Sequence, residues 1–147
     1  MEGFVSRASG AAPYGFGCVV GEGHLKLGIM MWDQCVNGGI DCGFGTVTIK
    51  AAQGWWSGGN CAMVAEAGGR IFALGKSIYC YNAAHFNSFL LVDQGAMIDL
   101  SGSTFPQPNG PVTGKQYNRS SEGVIILGGA TLPGSGFDSD GTGITQA

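Results

Sequence analysis

Charged side chains are scarce in this sequence. Seven lysines and arginines and ten aspartates and glutamates make up only 12% of its 147 residues, half the ~25% usual in a soluble domain. The net charge is −3, and the seven basic residues are scattered. Nucleic-acid-binding proteins instead concentrate positive charge in a patch or stripe. The composition therefore argues against a nucleic-acid partner.

Long apolar runs, paired cysteines and metal-ligand motifs are also absent. The longest apolar stretches, such as residues 124–127, have about four residues, and a membrane-spanning helix needs roughly 20. Residues 1–7 contain no signal-peptide core. Five cysteines without a Cys-x-x-Cys pair fit neither a disulfide framework nor a zinc site. We therefore expect no membrane span, no secretory signal, no metal site at the isolated His24 or His85, no cofactor, and buried reduced thiols.

Glycine is abundant, with 28 of 147 residues, or about one in five, against a usual ~7%. The composition argues against a helical bundle, because each glycine inside a helix costs about 1 kcal/mol relative to alanine. Collagen is excluded because the glycines have no three-residue period. What remains is a β-rich domain with many tight turns.

Several of these glycines begin similar aliphatic segments that alternate toward a second glycine. Gly39, Gly69, Gly95 and Gly123 begin the four segments, 30, 26 and 28 residues apart. A unit of two or three short strands cannot bury its apolar face alone, but stacked units can. The spacing therefore predicts an all-β fold, a parallel β-helix (β-solenoid) of about four coils.

The repeat sets the predicted domain organisation. We expect the solenoid, with C-terminal capping turns, over residues 25–147 and a glycine-rich arm over residues 1–24, which do not fit the repeat. Two other interpretations remain open: a β-sandwich with meander strands, and a short helix over residues 60–67.

The C-terminal part of the sequence resembles the closing coils of bacteriophage tail-fibre and tailspike β-helices. The matching segments are Thr113-Gly114-Lys115-Gln116-Tyr117, Gly123-Val124-Ile125, Gly128-Gly129, Leu132-Pro133-Gly134 and Gly141-Thr142-Gly143. A weaker, coil-like resemblance extends back to about residue 24. The chain departs from the pattern at its end, where a Gly-Ile-Thr-Gln-Ala sequence stands in place of a Gly-Gly-x-Tyr-like stretch.

This resemblance implies a right-handed β-helix in an intertwined or side-by-side homotrimer. It also implies a structural, receptor-binding role in the virion, with a host surface polysaccharide or lipopolysaccharide as the ligand. Residues 1–24 would then attach the chain to other virion proteins. The alternatives are a tailspike depolymerase fragment and a capsid spike or decoration protein.

Carboxylates are the candidate catalytic residues, because phage spikes of this shape often hydrolyse polysaccharide. Glycoside hydrolysis needs two carboxyl groups about 5 Å or ~6.5–9.5 Å apart. Glu66, Asp93 and Glu122 each lie shortly before a repeated glycine, so stacked coils would align them along one edge. They are the catalytic residues we would expect if the protein were an enzyme. We nevertheless predict a protein that is not an enzyme. Asp138 and Asp140 alternate as in a calcium loop, but the closing glutamate of such a loop is missing.

Aromatic residues are the candidate binding residues. Trp55 and Trp56 lie between glycines and are expected in a turn, where they would contact a neighbouring subunit, cover their own chain or bind a glycan. Tyr79 and Tyr81 are grouped with them. Successive strand residues face opposite sides, so the apolar run over residues 89–92 is expected to need a partner on its outer face, which favours an oligomer.

Overall fold

A computed structural model describes residues 16–33 and 35–147 in full and the backbone of residues 4–7. These described residues form sixteen β-strands and no helix. The strands are β1 (Phe4–Arg7), β2 (Phe16–Val20), β3 (His24–Leu27), β4 (Met30–Asp33), β5 (Gly38–Cys42), β6 (Thr46–Ile49), β7 (Gln53–Trp55), β8 (Gly59–Ala65), β9 (Arg70–Phe72), β10 (Ile78–Cys80), β11 (His85–Val92), β12 (Met97–Asp99), β13 (Thr113–Arg119), β14 (Val124–Ile126), β15 (Phe137–Ser139) and β16 (Ile144–Gln146).

The strands wind into three parallel sheets, and consecutive strands enter different sheets. Sheet A has the order β1-β4-β7-β10, sheet B has β15-β13-β11-β8-β5-β2, and sheet C has β16-β14-β12-β9-β6-β3. This confirms the predicted all-β parallel solenoid, with about five turns rather than four. The alternative of a helix over residues 60–67 is excluded, since β8 occupies most of that range. The alternative of a β-sandwich is excluded by the parallel pairing.

The core consists of side chains stacked in register from coil to coil. In sheet C, Val47, Ile71, Ile98 and Ile125 are successive partners, and all four are fully buried. Alternation produces this column: in β6 the two threonines face outward and Val47 and Ile49 face inward. Each coil therefore covers the apolar edge of the one before.

The repeated glycines hold structural positions that only partly match the predicted ones. Gly69 and Gly123 directly precede β9 and β14 at the same point of two coils that are separated by one coil, and a Cβ at Gly69 would overlap backbone carbonyls of the previous coil. Gly95 lies one residue earlier in its coil. Gly39 lies inside β5. The residue of that coil that aligns with Gly69 is Gly45, which directly precedes β6.

The predicted boundary at residue 24 does not coincide with a break in the sheets. Strand β2 pairs with β5, and β3, which begins at His24, pairs with β6. Strand β1 also pairs with β4 in sheet A, so β1 and β2 of the predicted arm belong to the sheets of the solenoid. Residues 1–3 and 8–15 of the predicted arm lie outside the described residues.

The apolar run over residues 89–92 is buried mainly within a single chain. Phe89, Leu90 and Val92 are fully buried, whereas Leu91 is half-buried. Phe89 packs edge-on against Phe86 and Phe105, with ring centroids 5.3 and 5.5 Å apart. Neighbouring coils therefore already supply the contacts of Phe89, Leu90 and Val92, and only Leu91 is left partly open on the outer face. The oligomer expected to cover this run stays a prediction.

The cysteines are free thiols, as expected. Cys35, Cys42, Cys61 and Cys80 are buried and Cys18 is half-buried. Burial raises the pKa of both Cys61 and Cys80 to about 12, so these two thiols stay protonated at neutral pH. In the described part of the chain, no helix has the length and apolar character to cross a membrane.

One corner between sheets B and C uses left-handed backbone in three successive coils. Gly68, Gly95 and Glu122 occupy the same position, with φ of +82°, +70° and +64°. Glycine adopts this conformation freely, while a residue with a Cβ pays a steric cost. Glu122 is thus the strained member of an otherwise glycine position.

We predict that Glu122→Gly stabilises the protein by about 1 kcal/mol, because it relieves the left-handed strain. The matched control is Gly95→Glu, which should destabilise it by a similar amount. A Cβ at Gly95 would have no atom within 4 Å, so backbone strain rather than collision is the cause. Urea unfolding of both variants tests this, and a destabilised Glu122→Gly protein would contradict it.

Candidate functional site

Trp55 lies in the core rather than in the expected turn. It ends strand β7 and is 1% exposed. Its ring lies 6.0 Å from that of Trp32 in the previous coil and 6.3 Å from that of Phe89. Trp55 therefore stabilises the fold and cannot contact a glycan or a second subunit.

Trp56 faces solvent and forms a cluster with Tyr79 and Tyr81, which we name the aromatic shelf. Trp56 is 46% exposed, and the two tyrosines are half-buried. The ring centroids of Trp56 and Tyr81 are 4.7 Å apart, and the Tyr79 and Tyr81 rings stack with centroids 5.9 Å apart and planes 13° apart. The structure thus brings together three of the four predicted binding residues.

Coil stacking creates the shelf. The backbone N–H of Trp56 donates to the backbone carbonyl of Trp32, and that of Tyr81 donates to the backbone carbonyl of Trp55. Trp56 and Tyr81 therefore occupy the same position in neighbouring coils. Tyr79 lies two residues before Tyr81 and therefore on the same face of its strand. The side-chain amide of Asn82 donates to the carbonyl of Trp56 at 3.1 Å, which fixes the backbone beneath the indole.

Met31 completes the apolar surface beside the shelf. It pairs in register with Gly54, which pairs with Tyr79. A Cβ at Gly54 would collide with the sulfur of Met31 and would lie 3.2 Å from the Tyr81 ring. Glycine at this position therefore lets the methionine side chain lie across the strand. Met31 does not stand out in the sequence, because only the coil register places it next to the tyrosines.

This surface suits a ligand with flat apolar faces. Exposed aromatic rings on a rigid support stack on sugar faces or fill a pocket in a protein partner at low entropic cost. The three rings are held by parallel strands, so little ordering is needed on binding.

The predicted acids are only partly aligned. Glu66 and Asp93 directly follow Ala65 and Val92, which are register partners, so these two acids lie in adjacent coils at one corner. Ser120 holds the equivalent position in the next coil, and Glu122 lies two residues further on. The expected line of three acids is therefore reduced to a pair in adjacent coils, whose backbones are about 4.8 Å apart as in any β-sheet.

A third carboxylate, Asp41, joins this edge. Burial, and secondarily the charge of Glu66, raise the pKa of the Asp41 carboxyl. Burial also raises the pKa of Asp93. One carboxylate oxygen of each is buried without a hydrogen-bond partner among the described residues. Asp41 does not stand out in the sequence, because it lies one residue before the end of β5, whereas Glu66 lies one residue after the end of β8.

Asp138 and Asp140 are engaged in other contacts. Asp138 forms an ion pair with Lys115. Asp140 accepts hydrogen bonds from the backbone N–H groups of Ser121 and Thr142, both at 2.8 Å, and the Thr142 hydroxyl and these N–H groups lower its pKa. Asp140 thereby closes the turn of the last coil. The described residues contain no group of three or more His, Cys, Asp or Glu suited to hold a metal ion.

We predict that Asp41→Asn stabilises the protein at pH 7. The fold raises the pKa of Asp41 above its unfolded value of 3.8, so ionisation costs stability above the folded pKa, and this cost vanishes below pH 3.8. The difference between wild type and variant, measured by urea unfolding, should therefore shrink as the pH falls from 7 to 3. Glu66→Gln removes the second cause of the shift and should act in the same direction. A variant with the same stability as wild type at every pH would contradict the prediction.

Searches of protein-family models, curated proteins and solved structures found no match to this chain.

Proposed function

We propose that this protein is a non-enzymatic attachment protein that binds a surface glycan through the aromatic shelf. The observation that supports this most directly is the cluster of Trp56, Tyr79 and Tyr81 on the outer wall of sheet A. The rings are partly open to solvent and lie on a support of hydrogen-bonded coils. Such a wall presents the rings without a conformational change.

The attachment is to a bacterial host, and the protein is a component of a phage tail fibre or spike located in the virion. The C-terminal resemblance over residues 113–143 supports this assignment, together with a parallel β-solenoid fold. The ligand is then a host capsule or lipopolysaccharide. Attachment to other virion proteins is assigned to residues 1–24.

The homotrimer is part of the same proposal. Its physical support comes from apolar side chains on the outer face of sheet C near the end of the solenoid. Met97, Val124 and Ile144 are successive partners on this face, and Ile126 follows Val124 at the next outward position. Ile144 is 51% exposed and the other three are half-buried. An interface there would cover surface that a single chain leaves open to water.

A depolymerase is the second candidate function, and the adjacency of Glu66 and Asp93 favours it. About 4.8 Å between coils is close to the separation of the carboxyl groups in retaining glycosidases. The pair nevertheless lies at a convex corner, and Glu66 is exposed to solvent. A catalytic pair instead flanks a substrate in a site that excludes water.

We predict that Trp56→Ala weakens binding to host capsule or lipopolysaccharide by about tenfold or more, as expected for a central aromatic contact. Isothermal calorimetry measures the affinity, and wild-type tryptophan fluorescence should change on binding. Phe44→Ala is the matched control, because Phe44 is 74% exposed but lies outside the shelf. Equal losses in the two variants, or none in Trp56→Ala, would count against the shelf.

Incubation of the protein with host capsule or lipopolysaccharide distinguishes the two functions. A non-enzymatic protein releases no reducing ends and leaves the length of the polysaccharide unchanged. Released oligosaccharides that disappear in Glu66→Gln and Asp93→Asn would establish the depolymerase instead.

We predict a solution mass of three times the 15.1 kDa of one chain. Light scattering coupled to size exclusion measures it. Ile144→Asp, which places a charge on the apolar outer face of sheet C, should shift the mass toward the monomer, while Phe44→Asp should not. A wild-type monomer would refute the trimer without bearing on glycan binding.

A further inference from the structure

A groove of about 140 Å³ opens where sheet C turns toward sheet A. Its two sides come from successive coils, residues 48–50 on one side and residues 72–76 on the other. The lining residues are Thr48, Ile49, Lys50, Phe72, Leu74 and Lys76. The groove is therefore a product of coil stacking, because Thr48 and Phe72 are register partners 24 residues apart.

The groove is positively charged. Lys50 is exposed and Lys76 is half-buried, and neither forms an ion pair with any residue that the structure describes. Strands β3, β6 and β9, which form this part of sheet C, contain no acidic residue. Lys26 and Arg70 lie on the outward positions of the same strands. Two of the seven basic residues of the chain, Lys50 and Lys76, thus line the groove, and two more lie on the strands beside it.

Backbone hydrogen bonds hold both lysines in place. The N–H of Lys50 donates to Leu27 at 2.7 Å, and the N–H of Lys76 donates to the hydroxyl of Ser103 at 3.0 Å. The carboxylate of Asp99, in register with Phe72 one coil further on, accepts hydrogen bonds from the backbone N–H and hydroxyl of Ser101 at 3.0 and 2.6 Å. Both hydrogen bonds end on the same carboxylate oxygen, and among the described residues Asp99 forms no ion pair with Lys50 or Lys76.

The other lining groups define the rest of the ligand. Phe72 and Leu74 offer an apolar surface, and Leu74 is 49% exposed. The hydroxyl of Thr48, which lies 2.7 Å from a ring nitrogen of His24, adds a polar contact. The volume is below the ~300 Å³ of a typical small-molecule pocket. An aromatic face beside two ammonium groups fits one sugar residue with an acidic substituent.

We propose that this groove binds the anionic group, carboxylate or phosphate, of an acidic sugar unit in the glycan. The inference rests on the proposed glycan-binding function and specifies its ligand as an acidic polysaccharide. The groove and the shelf belong to the same two coils. Lys76 precedes Tyr79 by three residues, which corresponds to roughly 10 Å of extended chain. One glycan strand is thus able to contact both surfaces.

The test compares oligosaccharides of equal length: an oligogalacturonide, a phosphorylated oligosaccharide and a neutral malto-oligosaccharide. Wild type should bind one or both acidic probes about tenfold more tightly than the neutral one, and the advantage should fall as salt screens the charges. The two acidic probes show which anion is preferred. Lys50→Gln combined with Lys76→Gln should abolish the advantage, and Lys76→Arg should retain it.

Lys115→Gln is the matched control, since it removes a lysine that is paired with Asp138 on a different sheet, and it should retain the preference. Persistence of the preference in the double variant, or its absence in wild type, would overturn the inference. Failure of the proposed function gives a different result, since wild type would then bind none of the three probes. Thermal unfolding of each variant confirms that the fold is retained.

Discussion

In-register parallel stacking is the constraint on which the rest of this structure depends. Each coil completes the hydrogen bonds of the coil before it, so every residue has a fixed partner about one coil length away. Those lengths vary between 20 and 28 residues in sheets B and C. The differences are absorbed at the corners and at one register shift in β11, between His85 and Ser88. The columns of Val47, Ile71, Ile98 and Ile125 depend on in-register alignment, because a slip of one residue would turn each apolar side chain outward.

The same constraint assembles the surface sites. Trp56 and Tyr81, Lys50 and Lys76, and Glu66 and Asp93 are pairs far apart in sequence that coil stacking makes neighbours. The shelf and the groove need no loop to close over a ligand, because both are parts of a wall whose backbone is already hydrogen-bonded. Such a wall favours binding over catalysis: it presents side chains firmly but provides little enclosure from water.

The interior contains polar groups whose cost the fold offsets locally. Gln53 is 1% exposed, yet its side chain accepts a hydrogen bond from the indole of Trp32 at 3.1 Å and donates one to the carbonyl of Gly28 at 2.7 Å. Asp41 and Asp93 are less well satisfied, each with one buried oxygen without a partner among the described residues. Their raised pKa values therefore reflect incomplete solvation at a crowded corner, which is a physical effect that needs no catalytic explanation.

The sequence by itself determined the class of fold, because abundant glycine, scarce charge and alternating aliphatic segments leave a stacked β-solenoid as the economical way to bury short strands. It also identified the three aromatic residues of the shelf, Trp56, Tyr79 and Tyr81, but not Met31 beside them. Only the tertiary structure decided the coil register, and with it the meaning of each glycine. Gly39 resembled a corner glycine but lies in a strand, where a Cβ would lie 2.6 Å from the indole nitrogen of Trp55. A glycine required by packing and a glycine required by a turn are identical in sequence, so the coil length, the burial of Trp55 and the lysine groove emerge only when the coils are stacked.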